Sequence, residues 1–370
     1  MTNPSAAIIG IGPNTERKGG ATAIAYAHAW AMRDLGVPLL AGAARSAGNR
    51  EGFAFDFPHV PTYADYREML RACRPQLVSI CAYPRDREEM TMAALEHGAQ
   101  ILWIEKPLAI SLDAAERILA AADSAGARVF VHYQRRFGQP CRILAESCVE
   151  GRLGTIQSVT IAQPMPNLLG FGVHPIDTAM SCLPGRRAIR AVGAVEMSDQ
   201  VVKGLPIEAE CHGVVYFDDG SRLLASSGLA SAQVPMIRVD GSHGFAELLW
   251  TTKPGDGGVL RAHWRDSATV ESPVLQENFH GDPAHPNLTT VRFLRDILDA
   301  VRDQRPSGCD GRESLRSLEA VLAIFESAVR GAAVTLPMAQ ADFPLDRHPA
   351  TCLRRISGDG TDLHGPYHRF

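Results

Sequence analysis

Over the first third of the chain, short apolar runs alternate with stretches in which apolar residues recur every three or four positions. Residues 6–12, 37–44, 77–82, 101–104 and 128–133 form the runs, with glycines closing the first. Their length and polar flanks predict buried strands. Helical stretches fall between them at 21–35, 63–73 and 87–97, the last stopping at Gly98. A further helix opens on Ser111 as its N-cap and runs to Ala125, before Gly126. Strands alternating with helices predict right-handed βαβ units and a doubly wound parallel sheet.

After a helix at 140–150 the pattern changes. Residues 159–163, 191–195, 208–217, 222–227, 237–241 and 246–250 read as strands, parted by turn residues such as Asp218-Asp219-Gly220. They predict a second α/β domain with a large, mostly antiparallel open sheet. Helical periodicity returns at 288–303 and 311–330, and from Gln340 the chain is rich in Pro, Gly, Arg and His without a period. The expected organisation is a nucleotide-binding domain over 1–137, a substrate-binding and oligomerisation domain over 138–340, and a tail over 341–370.

Composition agrees with two domains: 370 residues, 45% of them hydrophobic, can fill more than one core. A net charge of −4 and a pI near 6.4 supply no basic field for nucleic acid or an anionic membrane. The eight cysteines include no Cys-x-x-Cys pair and sit in no His/Cys cluster, so neither a metal site nor a disulfide scaffold is expected. No secretory leader is legible at the N-terminus and no apolar stretch has membrane-spanning length, so the expected compartment is the cytoplasm.

Candidate chemistry begins where the first strand ends. Gly10-Ile11-Gly12 lies between a strand and a helix, where glycines let backbone N–H groups approach a pyrophosphate. This is the Rossmann arrangement. The loop that follows, residues 13–20, is longer than the simple fingerprint; it brings Arg17 and Lys18, with Ala25 available for close packing of the helix. The second strand ends in Arg45-Ser46, where an acidic residue would take the ribose hydroxyls of NAD. A guanidinium and a hydroxyl there suit a 2′-phosphate, so NADP is expected, with NAD the alternative. The cofactor-facing positions are Gly10, Gly12, Pro13, Asn14, Arg45, Ser46, Ala82, Tyr83, Glu105 and Lys106. Glu105-Lys106-Pro107 closes the strand at 101–104, and ligands of open α/β sheets bind beyond such strand ends. A lysine there can donate to a substrate oxygen.

Gly10-Ile11-Gly12, Val78–Ala82, Glu105-Lys106-Pro107, Tyr133–Phe137, Gly151–Ile156 and Gly172–Asp177 follow one another in an order that resembles the Gfo/Idh/MocA oxidoreductases, over nearly the whole chain. The resemblance implies hydride transfer between a nicotinamide and a sugar-like or cyclitol-like alcohol or carbonyl. It also implies homodimers or homotetramers built through the C-terminal sheet. Lys106 matches the family's active-site lysine and His174 its catalytic histidine. His174-Pro175 reads as N-cap and first helical residue, with Asp177 in the first turn as a third catalytic candidate. Tyr133, Gln134, Arg136, Asn167, Phe171 and His174 are expected to contact a small-molecule substrate. Phe279-His280-Gly281-Asp282 is a weaker candidate for the same role.

One departure stands out. Many relatives carry an Asp four residues before the histidine, and here that position is Gly170. Asp177, Asn167 or a water would then orient His174. The departure also leaves room for other outcomes: cofactor-assisted elimination or hydrolysis, reduction of an imine or another carbonyl, or a nucleotide-binding partner protein without turnover.

Overall fold

The computed structural model describes residues 3–14, 23–229, 236–250, 258–264, 275–277 and 288–348. They divide into two compact units, one made of 3–134 with 288–315 and the other of 135–277 with 316–348.

In the first unit, strands β1 (Ala6–Ile9), β2 (Leu39–Ala43), β3 (Thr62–Tyr63), β4 (Leu77–Ile80), β5 (Ile101–Ile104) and β6 (Arg128–Val131) pair in the order β3-β2-β1-β4-β5-β6. Every pairing is parallel. All four residues of β1, β4 and β5 are buried, as expected of a parallel sheet with both faces covered. The connecting helices are α1 (Ile24–Asp34), α2 (Ala47–Asp56), α3 (Tyr66–Cys73), α4 (Arg87–Glu96) and α5 (Leu112–Ser124). Ser46, Asp65 and Ser111 cap α2, α3 and α5 by accepting backbone N–H groups, each cap contributing about 1 kcal/mol. Strand order reverses between β1 and β4, so the crevice for a ligand lies beyond their carboxyl ends.

The second unit holds α6 (Gln139–Val149), α7 (Val173–Ser181) and a nine-stranded sheet. Its strands are β7 (Ile156–Gln163), β8 (Ala188–Val202), β9 (Leu205–Phe217), β10 (Arg222–Ser227), β11 (Ile237–Gly241), β12 (Gly244–Trp250), β13 (Gly258–Trp264), β14 (Leu275–Glu277) and β15 (Val334–Thr335). The order is β14-β13-β12-β11-β7-β10-β9-β8-β15, antiparallel except for β7 with β10. Gly193 of β8 and Gly213 of β9 leave no room for a Cβ beneath Ile324 of α9 (Gly311–Arg330), so this helix lies directly on the sheet.

The domain boundary needs correction. The first unit ends near Gln134 and reclaims α8 (Leu288–Arg302) and the start of α9 from the C-terminal third. Packing explains the return. Phe293 of α8 stacks on Trp103 of β5, with ring centroids 5.6 Å apart. Asp310 accepts from Arg128 of β6 at 2.8 Å. The start of the expected tail is ordered against α9: Phe343 is buried edge-on to Phe325, and Arg347 pairs with Glu326. Residues 349–370, Arg17, Lys18 and the Phe279–Asp282 segment lie outside the described residues. No described helix is long and apolar enough to cross a membrane.

Candidate functional site

The glycine turn fits a nucleotide. Gly10 sits at φ 94°, and a Cβ there would lie 2.7 Å from the Ala82 nitrogen at the end of β4. Only glycine tolerates both conditions. A Cβ on Gly12 would come within 2.4 Å of Ala23, the residue before α1, so the loop hugs the helix start. Pro13 accepts from the Ala23 N–H at 2.9 Å, and Asn14 donates to Asp56 at 2.9 Å. Ala25 is fully buried, as close helix–sheet packing requires. Beyond β2, Arg45 and Ser46 are both exposed. Ser46 caps α2, and Arg50 donates to the carbonyls of Ala44 and Arg45 at 2.7 and 2.8 Å. Tyr83, after β4, is 54% exposed beside the buried Ala82.

Lys106 is half-buried at the end of β5, joined to Pro107 by a cis peptide. Glu105 corrects the expectation that it faces the cofactor: it turns into the core of its unit. His132, one residue past β6, donates from Nδ1 to Glu105 Oε1 at 2.5 Å. His28 of α1 brings Nε2 to 2.9 Å from the same Nδ1 and 3.4 Å from the carboxylate. Because an ionised carboxylate only accepts, His132 Nδ1 carries the proton and His28 Nε2 offers a lone pair. The His28 proton then lies on Nδ1 and is donated to Ser79 Oγ at 2.8 Å. Burial works to raise the Glu105 carboxyl, but the charge and hydrogen bond of His132 outweigh it and hold it well below the usual range. Burial, followed by the His132 charge, drives His28 down to about 3. His28 also stacks on Trp103 at 3.7 Å.

These three side chains form a cluster of metal-ligand type. Their separations are those of hydrogen bonds sharing one proton. His132 Nε2 is buried with no partner among the described residues, so the outer hydrogen bond that orients a metal-bound imidazole is missing. The cluster is a clamp on the residue before Lys106. The buried Arg87 adds a second clamp, donating to the carbonyls of Ala82 and Pro107 and so tying together the turns that follow β4 and β5. His28, Arg87 and His132 were not singled out in the sequence.

In the second unit, His174 is buried inside the first turn of α7; Gly172, not His174, precedes that helix. Asp177 consequently falls beyond the first turn. Its carboxylate takes Arg136 Nε and Nη2, both at 2.8 Å, and Ser317 Oγ at 3.1 Å. The expected catalytic role of Asp177 and the expected substrate contact of Arg136 thus give way to a bidentate ion pair that braces α7. Gln134 accepts from Thr290 of α8 at 3.2 Å, and Tyr133 is fully buried in the first unit. Asn167 is buried, and Phe171 is partly exposed on the wide turn Leu168–Gly172 that leads into α7.

Residues 5–133 match the family described as "Oxidoreductase family, NAD-binding Rossmann fold". The chain is 28% identical over 203 residues to the uncharacterized oxidoreductase YhhX of Escherichia coli, a match covering 51% of this chain and 57% of that protein. It is 26% identical over 297 residues to D-glucoside 3-dehydrogenase of the same organism, covering 74% of this chain and 76% of that one. The fold is shared with an Agrobacterium radiobacter oxidoreductase solved with NAD+, L-tartaric acid and magnesium, at a TM-score of 0.74 and 18% identity over 90% of this chain and 98% of that one.

Proposed function

Because residues 5–133 match the Gfo/Idh/MocA family of NAD-binding Rossmann oxidoreductases, we propose that the chain is a nicotinamide-dependent dehydrogenase or ketoreductase for a sugar-like or cyclitol-like alcohol or carbonyl. The observation that carries this reading is the cradle at Gly10, whose positive φ and contact with the Ala82 backbone leave space for a pyrophosphate and none for a side chain. D-glucoside 3-dehydrogenase supports the substrate class.

Gly10, Gly12 and the N-terminal end of α1 would hold the pyrophosphate. The exposed Arg45 and Ser46, with no acidic residue beside them at the end of β2, favour NADP over the NAD+ bound in the Agrobacterium protein. Bound there, a nicotinamide supplies the hydride acceptor or donor. Lys106 Nζ donates a hydrogen bond to the reacting oxygen. The His174 imidazole takes the hydroxyl proton in oxidation and returns it in reduction. We further propose that the nine-stranded sheet pairs subunits through the face opposite α9, where Val192 is 42% exposed; light scattering on the purified chain reads the assembly size. The described cysteines are free thiols, which suits the cytoplasm.

The test is a fluorescence titration with NADP(H) and NAD(H), followed by a sugar and cyclitol panel read by nicotinamide absorbance. Binding of NADP(H), with turnover that Lys106→Met or His174→Gln lowers by at least about a hundredfold, is the expected result. Binding of neither dinucleotide overturns the reading.

A further inference from the structure

The turn that delivers His174 has an unusual set of anchors. Asn167 stands at φ 71°, in the left-handed region, immediately before the wide turn Leu168–Gly172. Its side-chain oxygen accepts the Gly170 N–H at 2.7 Å, and its carbonyl accepts the Phe171 N–H at 2.8 Å. The N–H of Leu168 instead goes to Glu208, a fully buried carboxylate on β9 that also accepts from Ser227 of β10 at 3.1 Å. A glutamate from another strand thus does the work usually left to a helix N-cap, and its negative charge faces the positive end of the turn and of α7 behind it.

The space at Gly170 is explained by the same side chain. A Cβ there would lie 2.4 Å from the Asn167 amide nitrogen and 2.7 Å from its oxygen. Asn167 fills the place into which an aspartate at 170 would project, so the two side chains exclude each other. Gly172 is equally constrained, since a Cβ would meet Leu168 at 2.5 Å.

We propose that Asn167 and Glu208 are the positioning residues for His174 in this protein, in place of an acidic side chain at position 170. The proposal rests on the reading of His174 as the proton-exchanging group. Burial pushes the Glu208 carboxyl up to about 7, against the opposing hydrogen bonds of Leu168 and Ser227. The titratable neighbour on its own strand is Cys211, whose thiol burial and then the Glu208 charge push well up. Its hydrogen-bond partners among the described residues, the Leu168 N–H and the Ser227 hydroxyl, are both neutral. The strap is therefore held by a group whose charge changes near neutral pH, and charged acceptors bind N–H groups more strongly than neutral ones.

The test uses the full chain labelled with 15N at histidine, with His174 assigned by its loss in His174→Asn. The His174 ring titration and the amide exchange of residues 168–172 are followed in wild type, Glu208→Gln, Asn167→Ala and the exposed control Glu89→Gln, with thermal melts to confirm folding. If both anchors position His174, Glu208→Gln and Asn167→Ala each displace its titration midpoint, and exchange of the strap rises by about tenfold or more, as expected for a lost charge-assisted hydrogen bond. Glu89→Gln changes neither. For any substrate found by the panel above, kcat falls and its pH profile shifts, while KM holds. Should Glu208→Gln fail to fold, Asn167→Ala alone decides. A His174 titration curve and strap exchange that superimpose on wild type in the folded variants overturn the proposal. Loss of dinucleotide binding in the wild type would instead overturn the function, and these two readouts do not depend on it.

Discussion

Replacing His132 with phenylalanine isolates the clamp on Glu105. The ring keeps its volume and its edge contacts with Phe293 and Trp103, at 4.8 and 5.3 Å between centroids. It loses the Nδ1–H that donates to the carboxylate at 2.5 Å. Glu105 is 6% exposed, and its remaining contact in the cluster is His28 at 3.4 Å. Stripping one partner from a buried ion pair costs about 3–5 kcal/mol, because the other charge is left without compensation. Arg87 also stabilises the Glu105 charge, so the lower end applies. For a unit of this size, a loss of about 3 kcal/mol lowers Tm by about 6–12 °C. Tryptophan fluorescence during urea unfolding reads the change locally, since Trp103 lies against the cluster. The double variant His132→Phe/Glu105→Gln removes the uncompensated charge and recovers about 1–2 kcal/mol of the loss. A single variant that loses less than about 1 kcal/mol, or a double variant whose loss equals the sum of the two singles, refutes the clamp.

Three further outcomes follow from the geometry. Glu208 titrates near 7 in the fold against 4.5 ordinarily, so its contribution is complete below 4.5 and is lost as pH rises through 7; the change amounts to about 3 kcal/mol at most. Glu208→Gln flattens that limb of the stability–pH curve, measured by urea titration across this range. Arg45→Ala weakens NADP(H) binding by about tenfold or more and leaves NAD(H) binding within about twofold, as loss of a charge-assisted phosphate contact requires; equal weakening of both would remove Arg45 from the 2′-phosphate. Gly170→Ala drives a Cβ into the Asn167 amide and destabilises the second unit by about 1–3 kcal/mol, seen as a lower calorimetric Tm, whereas the same change in an Asn167→Gly background costs little.

The Rossmann sheet is legible in the sequence because each central strand is a run of four residues buried on both faces, and such runs stand out against their flanks. Helix α2 is not. It contains Gly48 and Gly52 and buries only Phe53, so no apolar stripe announces it. Strand β8 runs well past the segment 191–195 on both sides, because one of its faces is open and its apolar residues are spaced among exposed ones. The place of α8 depends on Phe293 meeting Trp103, a contact between residues far apart in the chain. Proximity in sequence alone does not place α8 in the first unit.

The same distinction separates the site residues that could be read from those that could not. Gly10 and Lys106 follow from what a strand end must do, and their neighbours in sequence suffice. Glu105, Asp177 and Glu208 take their roles from partners on other elements: His28 and His132, Arg136 and Ser317, Leu168 and Ser227. His28 carried a faint signal, a histidine within the buried stripe Ala25, Ala29 and Met32. Glu105 and Glu208 are both buried, and burial alone would raise both carboxyls. The His132 imidazole reverses the sign at Glu105, while the neutral N–H and O–H donors around Glu208 do not. Holding Glu105 charged and His28 neutral makes the first unit lose stability as pH falls below 6.5 toward 3. Glu208 makes the second lose it as pH rises from 4.5 through 7. The two slopes overlap between pH 4.5 and 6.5, so no pH gives both units their full stability, and the place of each slope is set by which side chains reach each glutamate from elsewhere in the chain.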